Sequence, residues 1–343
     1  MLRLSVLDQS TVITGRSPDA SIRESLALAR HAENLGYIRY WVAEHHNSDS
    51  IGGSAPEVLM AAIAATTQRI RVGSAGVMLP HYATLKVAEQ FRVLEAIAPG
   101  RIDLGLGRAP GSDGRTAHAL NPNADSAAEH FPSAVRDLLN WLAGEPLVEG
   151  HPFRDIVAQP TGPTTPETWI LGSSDFGAQV AAYFGLPHCF AHFISERSAA
   201  HALQLYRETY RPSARHPEPL GAICVWALTA ETEAEANRLF SSRALARLNR
   251  DRGIFAPLAS PEEAEAYPYT EADRVHIARI RERAIFGTPD VVAAKLRAVA
   301  AECGVEEVAV LTSVHDSLAR QRSYTLLARE FGMVTRERAL EAA

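Results

Sequence analysis

The sequence contains few cysteines, and their spacing excludes a disulfide framework. Cys189, Cys224 and Cys303 lie far apart, are odd in number and form no C-x-x-C pair. Small disulfide-rich domains and thiolate zinc sites both need closely spaced cysteines. We therefore expect three buried apolar side chains in a protein of the reducing cytoplasm.

Long apolar runs and clusters of basic residues are missing as well. No apolar run reaches the roughly 18 residues of a membrane-spanning helix, because Lys295 and Arg297 interrupt even the alanine-rich segment near the C-terminus. The apolar run at residues 2–7 is too short for a secretion signal. The net charge of −6, without clustered lysine or arginine, argues against nucleic acids and anionic membranes as partners.

What the sequence does contain is a regular alternation of strand-like and helical segments. Of its 343 residues, 46% are apolar and 22% are charged, a balance that suits a large buried core. Alternating units of this kind predict parallel strands joined by helices. We predict an α/β fold, a (β/α)8 TIM barrel with insertions, forming one domain over residues 1–343. The eight predicted strands are 2–7, 38–43, 70–79, 102–107, 168–171, 188–193, 222–228 and 306–311.

Helical patterns fill most of the chain between these strands. Two segments lack such a pattern, the proline-rich residues 149–166 and the proline- and glycine-bearing residues 250–270. Together with the next helix, the second segment gives an inserted surface excursion at about 250–285, which we interpret as a mobile lid. The predicted helices are 19–35, 56–67, 84–98, 125–142, one from 175, 196–210, 231–249, 271–284, 290–303 and 316–331.

The second predicted strand ends in Glu44, His45 and His46. In alternating α/β proteins, chemistry is placed at the carboxyl ends of the strands. Neighbouring strand residues point to opposite faces, so we expect only one of the two imidazoles to face that end. Three interpretations stay open: a metal site that also uses His81, a structural pair bonded to loop backbone, and an acid–base group.

Further polar groups follow the next three strands, beginning with His81 and Tyr82 after the third. Arg108 follows the fourth, and the glycine spacing before it is no dinucleotide fingerprint, because Pro110 and Gly111 stand where a helix should begin. Gly172, Ser173 and Ser174 lead into a helix whose first amides could bind an anion. Small residues at 73–76 leave room for a flat group on the third strand. This combination favours a phosphate-tailed aromatic cofactor.

Five motifs carry a resemblance to a known family. They are, in order, WVAEHH (41–46), VGSAGVMLP (72–80), AEQ (88–90), PGRIDLGLGRAPG (99–111) and GTPD (287–290). In this order and spacing, the chain resembles the bacterial luciferase-like, flavin-dependent monooxygenases along nearly its whole length. The fourth motif looks most like the single-polypeptide, alkanal monooxygenase-like branch.

The resemblance implies an enzyme that uses reduced FMN and O2, with a flavin C4a-peroxide oxygenating a partly apolar organic small molecule. It also implies a transient flavin reductase as the source of the reduced FMN, at most an indirect role for NAD(P)H, and a homodimer. Two alternatives remain, a deazaflavin-dependent oxidoreductase that transfers hydride and a flavin-binding barrel without turnover.

The resemblance also assigns roles to residues. His45 would be catalytic, with Glu44 as its orienting partner, and no metal would be bound. The flavin ring would lie against the third strand, with a cis peptide bond at about Ala75-Gly76. The residues expected to bind the cofactor are Ser74, Ala75, Gly76, Arg108, Gly172, Ser173 and Ser174, and those expected to bind substrate are His46, His81 and Tyr82.

The sequence departs from the luciferases at one notable position. Gly107 stands where a luciferase has a reactive cysteine beside the flavin. Thiol chemistry is therefore not expected there. The segment 250–270 matches the luciferase loop only loosely, and we do not predict light emission.

Overall fold

Parallel strands close into a barrel in the computed structural model, which describes residues 2–333. Around the barrel the order is β1-β2-β3-β5-β6-β7-β8-β10, and β10 pairs with both β8 and β1. The short β4 extends β3 alongside β5, and β9 pairs with β8. This topology confirms the predicted (β/α)8 barrel. The strands are β1 (Arg3–Asp8), β2 (Arg39–Val42), β3 (Arg71–Ser74), β4 (Val77–Met78), β5 (Ile102–Gly107), β6 (Glu167–Gly172), β7 (His188–Phe190), β8 (Gly221–Thr229), β9 (Ile285–Gly287) and β10 (Glu307–Leu311).

Helices cover the outside of the barrel. Because both faces of the sheet are covered, β2, β5 and β10 are buried along their whole length. No helix within residues 2–333 is long and apolar enough to cross a membrane. The helices are α1 (Asp19–Asn34), α2 (Pro56–Thr66), α3 (Thr84–Ile97), α4 (Gly114–Leu120), α5 (Ala124–Glu129), α6 (Phe131–Ala143), α7 (Asp175–Phe184), α8 (Ala199–Thr209), α9 (Glu233–Asp251), α10 (Pro261–Ala266), α11 (Glu271–Arg283), α12 (Pro289–Cys303) and α13 (Ser317–Glu330).

Two predicted elements are interrupted. The helix predicted at 125–142 is two helices, α5 and α6, because Pro132 lacks the amide that a continuing helix would use and stands instead in the first turn of α6. The strand predicted at 70–79 is broken between β3 and β4, where the Ala75-Gly76 peptide bond is cis. That cis bond confirms the one implied by the resemblance.

The segment predicted as a surface excursion is more regular than its sequence indicated. Helix α9 continues to Asp251, and α10 begins at a capping box formed by Ser260 and Glu263. Leu258 is buried and forms a parallel bridge with Ile13, which anchors the segment to the loop after β1. The lid function remains a prediction.

A buried ionic cluster closes the amino-terminal end of the barrel. The Arg39 guanidinium lies 2.9 Å from Asp103, 2.8 Å from Glu167 and 2.9 Å from Glu307. These residues stand at or near the first positions of their strands, so their charges fill the bottom of the barrel. The interior can therefore be open only toward the carboxyl ends.

Candidate functional site

A cavity of about 360 Å³ lies at the carboxyl ends of the strands. Its volume falls within the usual range of small-molecule sites, roughly 300–1,000 Å³. Most of its lining is apolar, and no aspartate or glutamate among the described residues belongs to it. The predicted site residues in the lining are His45, Ala75, Gly76, Arg108, Gly172, Ser173 and Ser174.

The small residues of β3 do not all make room for a ligand, as the sequence had predicted that they would. A Cβ atom on Gly73 would lie 2.5 Å from Cδ1 of Trp41, so Gly73 makes room for the buried indole and not for a ligand. The Ser74 hydroxyl donates to the carbonyl of Gly105 at 2.9 Å and accepts its amide at 3.0 Å. Ser74 thus ties β3 to β5 and is outside the cavity lining.

The His45 imidazole lines the cavity and is largely withdrawn from solvent. Its Nδ1 atom is buried and has no hydrogen-bond partner within residues 2–333. Burial, reinforced by the nearby Arg250 guanidinium, lowers the pKa of His45 to about 4. His45 is therefore a neutral imidazole at neutral pH, with one ring nitrogen still available for a ligand.

Glu44 forms hydrogen bonds with residues other than His45, its predicted partner. Its fully buried carboxylate accepts hydrogen bonds from His46 Nε2 at 2.8 Å, from the Tyr82 hydroxyl at 2.7 Å and from the Met78 amide at 3.0 Å. Its hydrogen bonds thus orient His46 and Tyr82 and not His45. The prediction that Glu44 orients His45 is corrected accordingly, since His45 lines the cavity whereas Glu44 is buried outside its lining.

The residues predicted to bind substrate lie in this same hydrogen-bonded cluster. His81 Nε2 is 2.6 Å from the carbonyl of Pro110, and the His46 amide donates to the carbonyl of Gly111 at 3.2 Å. None of His46, His81 and Tyr82 belongs to the cavity lining. The structure brings them together beside the loop that follows β5, where their hydrogen bonds fix the backbone that forms the cavity wall.

One end of the cavity has the features of an anion site. The Arg108 guanidinium lies 3.8 Å above the ring of Phe176, and it has no carboxylate partner within the part of the chain that the structure describes. Beside it, Gly172, Ser173 and Ser174 lead into α7, and the side chain of Ser174 does not cap the helix amides. A free guanidinium next to free helix amides suits a phosphate.

Sequence reasoning missed much of the cavity lining, and two of the missed residues bear on its chemistry. Phe176 supports Arg108 through its ring face, and Arg250 enters the cavity from the carboxyl end of α9. The helical periodicity of α9 would have predicted that Arg250 faces the barrel. Because prolines and a glycine follow it, we instead assigned Arg250 to the predicted lid.

Within residues 2–333, no three His, Cys, Asp or Glu side chains are arranged to hold a metal ion. The three cysteines are buried free thiols, as predicted.

Comparison with known sequences gives matches over nearly the whole chain. The sequence profile of the luciferase-like monooxygenases matches residues 2–307. The protein YceB of Bacillus subtilis, itself uncharacterised, is 40% identical over 96% of this chain and 100% of its own length. The N-acetyl-S-alkylcysteine monooxygenase of the same species is 35% identical over 95% of this chain and 97% of its own.

Solved structures match the fold closely. Apo-MsnO8 superposes with a TM-score of 0.89 at 36% identity and covers 98% of this chain and 100% of its own. The oxygenating constituent of 3,6-diketocamphane monooxygenase from Pseudomonas putida, in complex with FMN, has a TM-score of 0.70 at 18% identity, over 98% and 99% of the two chains. An F420-dependent secondary alcohol dehydrogenase reaches 0.66 at 15% identity, over 97% and 99%.

Proposed function

Because this chain belongs to the luciferase-like monooxygenase family, we propose that it is an FMN-dependent enzyme that uses reduced FMN and O2 to oxygenate an organic small molecule. The observation that carries the proposal is the Arg108 guanidinium, which lies on Phe176 beside the start of α7 and has no carboxylate partner among the described residues. It supports an anion site at one end of an apolar cavity, an arrangement that suits a phosphate-tailed flavin.

The residues present fit this cofactor. Arg108 and the amides near Ser173 and Ser174 would hold the phosphate, and Ala75 and Gly76 would lie against the ring system. When bound, the reduced flavin supplies the two electrons with which O2 delivers one oxygen atom to substrate and one to water. The apolar lining would exclude bulk water from that chemistry.

His45 is the acid–base group of the proposed site. It is neutral at neutral pH, because burial and Arg250 lower its pKa to about 4. A neutral imidazole can accept a proton at one nitrogen and donate from the other. Its unpartnered Nδ1 is therefore the atom that we assign to proton transfer within the cavity.

The partners and setting are part of the same proposal. The sequence lacks a G-x-G-x-x-G dinucleotide fingerprint, so we propose that a separate flavin reductase supplies the reduced FMN and that NAD(P)H acts only through it. We propose a homodimer, on the family resemblance. The three free thiols fit a reducing cytoplasm. The apolar lining of the cavity fits a partly apolar substrate.

A cofactor titration tests the proposal. FMN and a deazaflavin cofactor are titrated separately into cofactor-free protein, and we expect micromolar binding of FMN and weaker binding of the deazaflavin. The complex with reduced FMN is then mixed rapidly with oxygenated buffer. A transient absorbance distinct from both reduced and oxidised FMN is the expected result. Tighter binding of the deazaflavin, or immediate oxidised FMN and hydrogen peroxide without a transient, would overturn the proposal.

A further inference from the structure

Two arginines on α9 face the carboxyl end of the barrel. Arg243 and Arg250 stand seven residues apart, about two helical turns, and so share one face of the helix. Arg250 lines the main cavity and also a smaller adjoining one of about 80 Å³, which we term the side cavity. Arg243 lines the side cavity, and Gln9 borders both spaces.

Neither guanidinium lies within ion-pair distance of a carboxylate in the described part of the chain. Within residues 2–333, neither forms an ion pair, and each only approaches an aromatic ring, Arg243 at 5.2 Å from Trp226 and Arg250 at 5.9 Å from Phe255. Burial and neighbouring cations lower the pKa of Arg243 to about 10 and lower that of Arg250. Partly buried cations without a paired counter-charge are costly, so a bound anion would stabilise this pair.

Two carboxylates act electrostatically on Arg243, and both already have cationic partners. Asp251 lies 3.0 Å from Arg247 and 2.8 Å from His276. Glu196 lies 4.0 Å from Arg283. Neither the main cavity nor the side cavity has an aspartate or glutamate in its lining. Asp251 and Glu196 offset the cost of burying Arg243 only in part, so an anionic ligand would complete the charge balance.

The proposed flavin phosphate is not that ligand. Its expected position is at Arg108 and the start of α7, after β5 and β6, whereas Arg250 belongs to the helix that follows β8. FMN has one phosphate, so a second cationic site in the same cavity calls for a second anion. Thr11, Asn249 and Ser313 add hydrogen-bonding side chains to the side cavity.

We propose that the substrate is a carboxylate, held by Arg250 and Arg243 in the side cavity, with its apolar part in the main cavity near His45. The planar guanidinium matches a carboxylate through paired hydrogen bonds. The small volume of the side cavity admits such a group and little more. This inference rests on the proposed function, because it defines the class of molecule that is oxygenated.

Calorimetric titration tests the inference directly. Straight-chain carboxylates from butanoate to decanoate, and the amide of each, are titrated into the protein with and without FMN. At least one carboxylate should bind about tenfold or more tightly than its amide, and added salt should reduce that preference. Carboxylates that bind no better than their amides would overturn the inference.

Substitutions on α9 test which residues cause the preference for a carboxylate over its amide. Arg250→Gln should abolish it, Arg243→Gln should reduce it several-fold, and Arg250→Lys should retain part of it. Arg238→Gln is the matched control, because Arg238 lies on the same helix but is exposed and paired with Glu235 and Glu262. Thermal unfolding of each variant establishes that it is folded. A preference that survives Arg250→Gln contradicts the assignment.

The FMN affinity of each variant separates this inference from the proposed function. Unchanged FMN binding with no carboxylate preference rejects the carboxylate site alone. A carboxylate preference that depends on Arg250 in protein that does not bind FMN rejects the proposed cofactor alone. If Arg250→Gln weakens FMN binding and leaves the carboxylate preference intact, the guanidinium serves the flavin and the inference is wrong.

Discussion

At the scale of single residues, the His45 imidazole is mostly buried, and its Nδ1 atom has no hydrogen-bond partner within residues 2–333. Its neighbour His46 has the same side chain but donates to Glu44. Of these two adjacent imidazoles, His45 keeps a ring nitrogen without a partner among the described residues, whereas His46 is held in place by a hydrogen bond. This difference makes His45 the residue whose substitution should change chemistry more than stability.

His45→Ala should preserve FMN affinity and shorten the lifetime of the transient that forms when the reduced FMN complex meets O2. The reason is that Nδ1 is assigned to proton transfer and not to flavin binding. Because the pKa of His45 is about 4, that lifetime should show no ionisation of this group between about pH 6 and 8. Stopped-flow absorbance measures it, with His118→Ala on the exposed face of α4 as the control. An unchanged lifetime would remove His45 from the mechanism.

Arg108→Ala should weaken FMN binding by about 1.5–3 kcal/mol, the usual contribution of a charge-assisted contact. Riboflavin, which lacks the phosphate, should bind the variant and the wild type about equally. Fluorescence titration with both flavins measures the difference, and the unchanged riboflavin affinity is the internal control. An equal loss for the two flavins would contradict the phosphate role.

At the scale of elements, the carboxyl end of β2 organises the cavity wall. The Glu44 carboxylate accepts the Met78 amide from β4, and Met78 lines the cavity. His46 and His81 hold the carbonyls of Gly111 and Pro110 in the loop after β5. One buried carboxylate thus connects the end of β2, β4 and the segment before α3, and the adjoining histidines extend the connection to the next loop.

Glu44→Gln should lower the free energy of unfolding by about 1–3 kcal/mol, because the amide cannot accept all three hydrogen bonds and leaves a buried donor unsatisfied. Urea unfolding measures the loss. Glu57→Gln is the matched control, since Glu57 accepts only a long hydrogen bond from Gln90 at 3.3 Å. Equal stability of the two variants would show that the hydrogen bonds of Glu44 contribute little.

At the scale of the whole molecule, the barrel buries titratable groups in its walls. His188, at the start of β7, is fully buried and donates from Nδ1 to the carbonyl of Ile170 at 2.9 Å. Burial lowers its pKa to about 4, below the value of about 6.5 in an unfolded chain. The unfolded state therefore binds more protons between these two values, so stability is lost as the pH falls from about 6.5 to 4.

The wild-type protein should lose about 2 kcal/mol of stability through His188 between pH 7 and pH 5. His188→Gln removes the titrating group, so its unfolding free energy should fall less over the same interval, whatever its value at pH 7. Urea unfolding at the two pH values measures both slopes. His118→Gln, at an exposed position, is the control. Identical slopes for His188→Gln and the wild type would show that His188 is not the group responsible.

Much of the fold follows from local sequence patterns. Apolar runs of six or so residues alternate with helical periods, and the boundaries of β1, α1, α3 and β5 lie within a residue or two of those predicted. Short elements were missed, because α4 and β9 are too short for a periodic pattern. The capping box of α10 is visible in the sequence, but the surrounding prolines led us to predict an irregular segment instead of a helix.

The sequence by itself determined the barrel and the family, because hydrophobic periodicity and motif spacing are properties of the chain read in order. Only the tertiary structure decided which of the neighbouring side chains reach the cavity. Glu44, His46, His81 and Tyr82 turn to one another, while Arg250 arrives from a helix some 200 residues away. Hydrogen-bond satisfaction and burial depend on the surroundings in space, which the order of residues does not contain.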